Sequence, residues 1–217
     1  MRFDTPDGPL DVAITHLTIA GWTGRDSAAV AHHIAELEAI GVPAPSTTPL
    51  FYRVGASLLT QADVVEVVGP DTSGEAEPLL VRAGGAIWLG IGSDHTDRAL
   101  ERVSVAQSKQ VCPKPVGRAL WPLESLKDRL DALELRSEIE EGGAWVPYQR
   151  GPLTAIRPLG ELLDTADIPD RAAMLCGTLP AIGGVRPAPR FRATLQDRAT
   201  DRMLSLAYEA SPLPVIS

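Results

Sequence analysis

Two glutamates separated by one residue, Glu75 and Glu77, open a predicted strand that continues into the apolar run PLLV. Because side chains at i and i+2 of a strand point to one face, both carboxylates are expected on the same side. Asp94 follows the apolar run Ala86–Ile91, which is predicted to form a hairpin with that strand around Ala83–Gly85. Three carboxylates that meet at strand ends suit a hard divalent cation such as Mg²⁺, Mn²⁺ or Ca²⁺. The alternative is that Glu75 belongs to a turn and Glu77 to an exposed strand edge.

A second pair with the chemistry of a catalyst lies on a predicted helix, where His33 and Glu36 share one face at i and i+3. The carboxylate can hold the imidazole and raise its basicity, which suits the pair to activating water as a general base. The alternative is a solvated His–Glu pair on the surface of the helix.

Cations for an anionic substrate are offered by Arg98, one helical turn past Asp94, and by Lys109 in the segment SKQVCPKP. An arginine can bind a carboxylate bidentately, and a lysine supplies a compact charge. Gly177 and Thr178 follow the apolar run AAMLC. They offer a hydroxyl and flexible backbone N–H groups at which an anion could dock.

The elements that must position these groups are mostly short strands. Nineteen prolines and nineteen glycines divide the 217 residues into short segments, which is typical of a β-rich fold with many turns. Asp26 and Ser27 can cap a helix that ends before Gly41. Further helices are predicted from Thr96, from Pro122 and over ELLDTA. Strands are predicted in DVAITHLTIAGW, LFYRV, DVVEVVG, EAEPLLVR, AIWLGI, LELRSEIE, AAMLC, FRATLQD and MLSLAYEA, with AWVPYQRGPL as a strand pair or a loop.

Composition and charge limit the classes of binding partner and the cellular location that can be expected. Twenty basic against twenty-eight acidic residues give a formal charge of −8, and no basic stripe is present, which argues against nucleic acid or an anionic membrane. No segment approaches the ~18 apolar residues of a membrane span, and no signal-peptide pattern opens the chain, so a cytoplasmic location is predicted. Two cysteines outside any C-x-x-C pair do not make a disulfide framework.

Taken in chain order, these motifs resemble the fumarylacetoacetate hydrolase-like superfamily over about residues 15–217. The motifs are His33 with Glu36, the segment PLFYRVGASLL from Pro49, Glu75 with Glu77, the set Asp94, Thr96 and Arg98, then Lys109, and CGTLPAIGGVRP from Cys176. The resemblance implies an α+β, mostly β fold, a mixed β-sandwich roll of the fumarylacetoacetase C-terminal type with a few short helices. It also implies a single domain over 1–217, with 1–14 as an N-terminal extension and about 23–48 as a lid region.

The resemblance implies roles for the individual residues. Glu75, Glu77 and Asp94 would bind Mg²⁺ or Mn²⁺, with Ca²⁺ as a further option. Lys109, His33 and Glu36 would be catalytic, with the last two activating water. The residues that would contact the substrate are Arg98, Arg53, Tyr52, Gly177 and Thr178. Arg53 stands where the family usually has a lysine, and the lid lacks the family's Asn-Tyr start, because those positions are Ala29 and Val30.

The function implied is that of a metal-dependent hydrolase, a homodimer that cleaves a C–C bond in a small β-dicarbonyl or acylpyruvate-type oxo-acid, as in aromatic catabolism. One alternative is a decarboxylase, isomerase or hydratase that uses the same metal site. Another is a non-catalytic binding or scaffold protein with the same fold. His95 and Cys112 have no role in any of these readings.

Overall fold

Strands dominate the computed structural model, which describes residues 1–39 and 44–216. In chain order the strands are β1 (Arg2–Thr5), β2 (Gly8–Asp11), β3 (His16–Gly21), β4 (Leu50–Val54), β5 (Leu59–Thr60), β6 (Val64–Val68), β7 (Thr72–Ser73), β8 (Ala76–Ala83), β9 (Ala86–Ser93), β10 (Thr96–Asp97), β11 (Lys114–Pro115), β12 (Trp121–Pro122), β13 (Glu134–Glu141), β14 (Ala144–Pro152), β15 (Ala172–Leu175), β16 (Arg190–Asp197) and β17 (Arg202–Leu213). The α-helices are α1 (Ser27–Ala39), α2 (Arg98–Glu101), α3 (Val105–Gln110) and α4 (Leu159–Ala166), and 3₁₀ turns cover Ala56–Leu58, Leu123–Leu126, Leu130–Ala132 and Leu153–Ala155.

Two larger sheets carry the fold. One has the strand order β12-β9-β8-β15-β3-β4, and the other has the order β14-β13-β16-β17-β6. Neighbouring strands in them run antiparallel, except for the parallel pairs β3–β15 and β6–β17. The predicted α+β, mostly β class is confirmed. All but the last residue of the segment AWVPYQRGPL forms the single strand β14 rather than a strand pair.

The apolar core covers both faces of the six-stranded sheet. Leu80 of β8 belongs to a cluster that also contains Leu135 and Phe191 of the five-stranded sheet. Leu79 and Val81 point to the opposite face and belong to a second cluster. Because β8 is covered on both faces, a polar side chain near its start is also removed from water.

The turn of the β8–β9 hairpin consists of two glycines. Gly84 and Gly85 have φ values of +60° and +78°, a region of backbone conformation that favours glycine. Ala83 pairs with Ala86 across this turn. The hairpin predicted around Ala83–Gly85 is confirmed.

The register of this hairpin determines which polar residues meet at its open end. Ala76 pairs with Ser93. Glu75 and Glu77 flank the first residue of this pair, and Asp94 directly follows the second. Pairing of two apolar strands therefore delivers the acidic residues to one place, eight residues from the turn on each strand.

Helix α1 begins where the sequence predicts. The Asp26 carboxylate accepts hydrogen bonds from the N–H groups of Ala28 and Ala29, at 2.9 and 3.1 Å, which satisfies donors of the first turn. The predicted end of this helix, before Gly41, lies outside the described residues.

The single helix predicted from Thr96 is wrong, because the chain forms two short helices there. Asp97 accepts the N–H of Leu100 at 2.9 Å and so caps α2. Ser104 then accepts the N–H of Gln107 at 3.3 Å and caps α3. The second cap starts a new helix instead of extending the first.

The helix predicted from Pro122 is also wrong, since this part of the described chain forms the 3₁₀ turns Leu123–Leu126 and Leu130–Ala132. Arg129 between them has φ −142° and ψ 9°, outside the helical region. Its guanidinium lies 2.9 Å from the carboxylate of Asp197 on β16. A tertiary ion pair thus competes with the local helical pattern.

The first residues of the chain form the β1–β2 hairpin. Phe3 is fully buried in the second apolar cluster, and the N–H of Asp4 donates to the carbonyl of Arg118 at 2.8 Å. The segment 1–14, expected as an extension, therefore packs on the body of the fold. Among the described residues, no helix is both long and apolar enough to cross a membrane.

Candidate active site

Three carboxylates converge where the β8–β9 hairpin opens. Glu75, Glu77 and Asp94 each offer an oxygen within 4.8 Å of those of the other two. Asp94 is 0% exposed and Glu77 is 2% exposed, while the side chain of Glu75 is 16% exposed. The alternative of a solvated turn and an exposed strand edge is therefore wrong.

The backbone around Glu75 is held by main-chain and hydroxyl contacts. Its carbonyl accepts the N–H of Asp94 at 3.0 Å, and its N–H donates to Ser93 Oγ at 3.2 Å. Ser93 Oγ lies 2.9 Å from the hydroxyl of Tyr208 on β17. A Cβ on Gly74 would lie 2.3 Å from that hydroxyl, so only glycine allows this close approach.

Glu77 is bound by the turn that follows β15. The N–H of Gly177 donates to Glu77 Oε2 at 2.7 Å. Gly177 has φ +95°, and a Cβ there would overlap Thr23 Oγ1 at 1.7 Å, so this position requires glycine. Burial raises the pKa of Glu77 well above its usual range, and the charge of Asp94 raises it further.

Two lysines hold Asp94, one on each carboxylate oxygen. Lys109 Nζ of α3 donates to Oδ2, and Lys114 Nζ of β11 lies 3.1 Å from Oδ1. Burial alone would raise the pKa of Asp94, but the charges of both lysines outweigh burial and hold the pKa below its usual range. The charge of Asp94 in turn raises the pKa of Lys109 against the opposing effect of burial.

The donor set fits a hard divalent cation. Three carboxylates supply oxygen ligands, which Mg²⁺, Mn²⁺ and Ca²⁺ prefer. Asp94 Oδ1 is buried, and its ion pair with Lys114 at 3.1 Å lacks hydrogen-bond geometry, so this oxygen keeps capacity for a further ligand. Burial also raises the pKa of Glu75 and of Glu77, and a bound cation would favour their ionised forms. Glu75, Glu77 and Asp94 are therefore the residues that could hold a metal ion.

Arg98 makes its described contacts with protein groups. Its Nε donates to Ser73 Oγ at 2.7 Å, its Nη1 donates to Glu101 at 2.9 Å, and its Nη2 lies 3.5 Å from Glu75 Oε1. The side chain is 10% exposed. The structure thus brings Arg98 to the carboxylates, where it supports Glu75, and its contact with a substrate stays a prediction.

Tyr52 and Arg53 are neighbours on β4 and point to opposite faces of the strand. The Tyr52 ring centroid lies 5.7 Å from Lys109 Nζ, so Tyr52 lies beside the carboxylates. Arg53 is exposed, and its guanidinium contacts the ring of His16 at 2.6 Å. The structure brings the tyrosine, but not the arginine, to the predicted site.

His33 and Glu36 lie on helix α1, and their side chains lie outside the described residues. The segment that leads into α1 passes close to Glu77, because Thr23 packs on Gly177, whose N–H binds that carboxylate. The Arg25 guanidinium pairs with Asp131 at 2.6 and 2.8 Å and so fixes the same segment to the fold. The general-base role of the His–Glu pair stays a prediction.

The sequence pattern gives no sign of a buried glutamine that joins the site's elements. Gln149 Oε1 on β14 accepts the N–H of Ala76 at 2.9 Å and the hydroxyl of Ser137 at 2.7 Å. Its amide Nε2 donates to Thr178 Oγ1 and to the carbonyl of Leu179. Thr178 Oγ1 donates in turn to the carbonyl of Ala76 at 2.8 Å. The N–H of Gly177 and the hydroxyl of Thr178, which were expected to bind an anion, therefore bind Glu77 and Ala76 at the start of β8.

His95, unassigned from the sequence, is a buried member of the same network. Its Nδ1 lies 2.8 Å from the Tyr208 hydroxyl. Burial lowers the pKa of His95 to about 3, and the positive charges of Lys114 and Arg98 add to the effect. The neutral imidazole of His95, the residue that follows Asp94, is therefore a further contact of the Tyr208 hydroxyl. Cys112 is buried, and burial raises the pKa of its thiol to about 11.

A comparison with models of protein families identifies the family of this chain. The family described as "Protein of unknown function (DUF2848)" matches residues 20–208. The chain belongs to the DUF2848 family. A search of curated proteins finds no match to it.

Solved structures share the fold of this DUF2848 protein. A protein from Oleispira antarctica, provisionally described as a fumarylacetoacetate isomerase/hydrolase, matches with a TM-score of 0.70 at 15% identity, over 97% of this chain and 100% of that chain. A 2-keto-3-deoxy-D-arabinonate dehydratase complexed with magnesium and 2,5-dioxopentanoate matches with a TM-score of 0.66 at 16% identity, over 96% of this chain and 76% of that chain. The predicted fumarylacetoacetase-type fold is confirmed.

Proposed function

We propose that this DUF2848 protein is a divalent-metal-dependent enzyme that acts on a small 2-oxo acid. The observation that carries the proposal is the convergence of Glu75, Glu77 and Asp94 beside Lys109 in a desolvated site. Burying such charges is costly, and buried, perturbed carboxylates concentrate at functional sites. The fold shared with a magnesium-bound dehydratase that carries a dioxo acid supports the same assignment.

The chain's own residues divide the work of binding and support. Glu75, Glu77 and Asp94 hold the cation, and Lys109, which is 6% exposed, supplies the charge that meets the substrate carboxylate. The charge of Arg98 opposes the effect of burial on Glu75, favours its ionised form and helps to hold it in place. When bound, a divalent cation supplies Lewis acidity that stabilises a substrate enolate. Tyr52 forms part of the wall beside Lys109.

Hydrolysis of a C–C bond is the first reaction we propose. An acylpyruvate, R–CO–CH₂–CO–COO⁻, would react with water to give R–COO⁻, a proton and pyruvate. His33 would take a proton from the attacking water, and Glu36 would hold the imidazole in the orientation this requires. The proton taken by His33 would finally reach the methyl carbon of pyruvate, and the second proton of the water would be released when the acid product ionises.

Dehydration, decarboxylation or isomerisation of a 2-oxo acid is the second candidate. It is favoured by the dehydratase that shares the fold, and the same stabilised enolate would serve each of these reactions. His33 separates hydrolysis from decarboxylation, because hydrolysis needs a base for water, whereas decarboxylation needs only the metal site and Lys109.

The test is a substrate panel with the Mn²⁺- and Mg²⁺-loaded protein. Acylpyruvates, oxaloacetate and 3-deoxy-2-oxo sugar acids are incubated with it, and pyruvate release, CO₂ release and loss of diketone absorbance are recorded. Turnover that disappears in Glu77→Gln supports the proposal, and loss of acylpyruvate cleavage alone in His33→Ala supports hydrolysis. A metal-replete protein that binds oxo-acids without turnover would favour a non-catalytic binding protein.

We also propose that the protein is a homodimer, as the resemblance to the superfamily implies, and that it works in the cytoplasm. Light scattering coupled to size-exclusion chromatography tests the first statement. A mass of one chain, close to 23.1 kDa, would contradict it.

A further inference from the structure

Lys114 is a buried lysine to which the sequence motifs assign no role. It lies in β11 and is 0% exposed. Its Nζ donates to the carbonyl of His95 and lies 3.1 Å from Asp94 Oδ1, while Lys109 contacts Oδ2. Asp94 is thus fixed between two ammonium groups, and Lys114 makes no contact with solvent through which its charge could be screened.

When its three carboxyl groups are ionised, as a bound cation would favour, the buried charges of the site cancel. The described carboxylates are those of Glu75, Glu77 and Asp94. The described cations paired with them are Lys109 and Lys114, which contact Asp94, and Arg98, which contacts Glu75. Arg98 is shared with Glu101, whose side chain is 32% exposed. A divalent cation would therefore bring positive charge that the buried groups do not compensate into a desolvated site, which is unfavourable without further anionic groups.

We propose that Lys114 is a positioning residue that weakens binding of the bare cation and makes tight binding depend on an anionic substrate. It orients Asp94 through Oδ1, and its fixed charge repels the cation that Asp94 binds. A 2-oxo acid brings the missing negative charge with its carboxylate. Cation and acid then bind with positive coupling, which is reciprocal by thermodynamic linkage. The coupling rests on the proposed function, whereas the effect of Lys114 on the bare cation does not.

The first experiment measures Mn²⁺ binding to the metal-free protein by titration calorimetry. Lys114→Met removes the charge at similar length, and Lys114→Gln removes the charge but keeps a donor for the His95 carbonyl. We expect the Kd for Mn²⁺ to fall at least tenfold in both variants, since a unit charge within ~5 Å acts strongly on a divalent ion at an effective dielectric of ~20. A purely structural role would loosen Asp94 and change the Kd in the opposite direction. Lys127→Met, which removes an exposed lysine, should leave the Kd unchanged within about twofold.

The second experiment repeats the titration at saturating pyruvate, a weak chelator of Mn²⁺ in solution. We expect pyruvate to lower the Kd for Mn²⁺ at least threefold in the wild type, and by less in both Lys114 variants. Folding of each variant is checked by circular dichroism and thermal melting. Should neither variant fold, the wild-type coupling decides, and its absence overturns the proposal.

The possible results separate the two levels of the argument. Tighter Mn²⁺ binding in the variants without pyruvate coupling in the wild type would support the charge effect of Lys114 and overturn its link to an oxo-acid. Unchanged or weaker Mn²⁺ binding in folded variants would overturn the proposal for Lys114, and turnover in the substrate panel would then still support the proposed function.

Discussion

Replacing Glu77 by glutamine should stabilise the metal-free protein and abolish its response to metal. The amide of Glu77→Gln keeps an oxygen that can accept the N–H of Gly177 but removes a charge that is 2% exposed and close to Asp94. The pKa of Glu77 in the folded protein is raised above its unfolded value. Such a group makes the folded state less stable as the pH rises from the unfolded pKa, ~4.3, towards the folded pKa. Glu77→Gln has no carboxyl group to ionise at this position, so it does not lose stability in this way as the pH rises.

The magnitudes follow from linkage. Each unit by which the folded pKa exceeds the unfolded one costs the wild type ~1.4 kcal/mol at a pH above both values. A cation at ~100 times its Kd adds ~2.7 kcal/mol to the free energy of unfolding. For a chain of ~150–250 residues, ~1 kcal/mol shifts Tm by ~2–4 °C, so wild-type Tm should rise by about 5–11 °C with metal. The variant should show a shift close to zero, because a neutral amide replaces one of the three carboxylates.

Thermal melts of chelator-treated protein at pH 5, 6.5 and 8, with and without Mn²⁺, check both parts of this prediction. The advantage of Glu77→Gln over the wild type should be largest at pH 8 and shrink towards pH 5. Glu66→Gln, on the exposed face of β6, is the matched control and should behave as the wild type. The reasoning is refuted if Glu77→Gln is less stable than the metal-free wild type at pH 8 while it keeps the full Mn²⁺ shift.

Other parts of the site yield predictions of their own. Gly74→Ala should destabilise the protein by ~1–3 kcal/mol, because the new Cβ would lie 2.3 Å from the Tyr208 hydroxyl, whereas Gly160→Ala, with no described atom within 4 Å of its Cβ, should be neutral or stabilising in urea denaturation. Gln149→Leu should cost ~2–4 kcal/mol, since it leaves several buried donors and acceptors unpaired; an unchanged midpoint in urea would contradict this. The Kd for Mn²⁺ should increase as the pH falls from 8 to 6, because the raised pKa of Glu77 makes its carboxyl compete for protons, and a pH-independent Kd in calorimetry would argue against carboxylate ligation.

The parts of the site that follow from local pattern could be predicted from the sequence. The apolar alternation and the Gly84–Gly85 turn determine the hairpin register, and that register places Glu75, Glu77 and Asp94 together. Supports that come from distant strands could not be predicted in this way. Ser93 and Tyr208 are 115 residues apart, and Gln149 meets Ala76 across 73 residues. A single glutamine or tyrosine in an alternating strand looks the same whether its partner is a backbone amide or another side chain.

The same distinction explains why the predicted helices were less accurate than the predicted strands. Helix periodicity extends across Ser104, but its hydroxyl caps a new helix, and this places Lys109 on the short helix α3 with its side chain directed at Asp94. A continuous helix from Thr96 would change the rotation of Lys109 about the helix axis. The local departure from the pattern is therefore part of how the cation reaches the site.

The arrangement around Asp94 is poorly suited to stability and well suited to binding an added cation. Two buried lysines and two further carboxylates surround one aspartate, beside a sheet whose covered faces are mostly apolar. Replacing buried ion pairs with apolar side chains is often neutral or stabilising, so packing alone does not account for this set of charges. Residues that violate the preferences of a core are expected where function requires them. On this reasoning Lys114 and Glu77 should respond in opposite ways: neutralising the lysine should tighten cation binding, and neutralising the glutamate should abolish it.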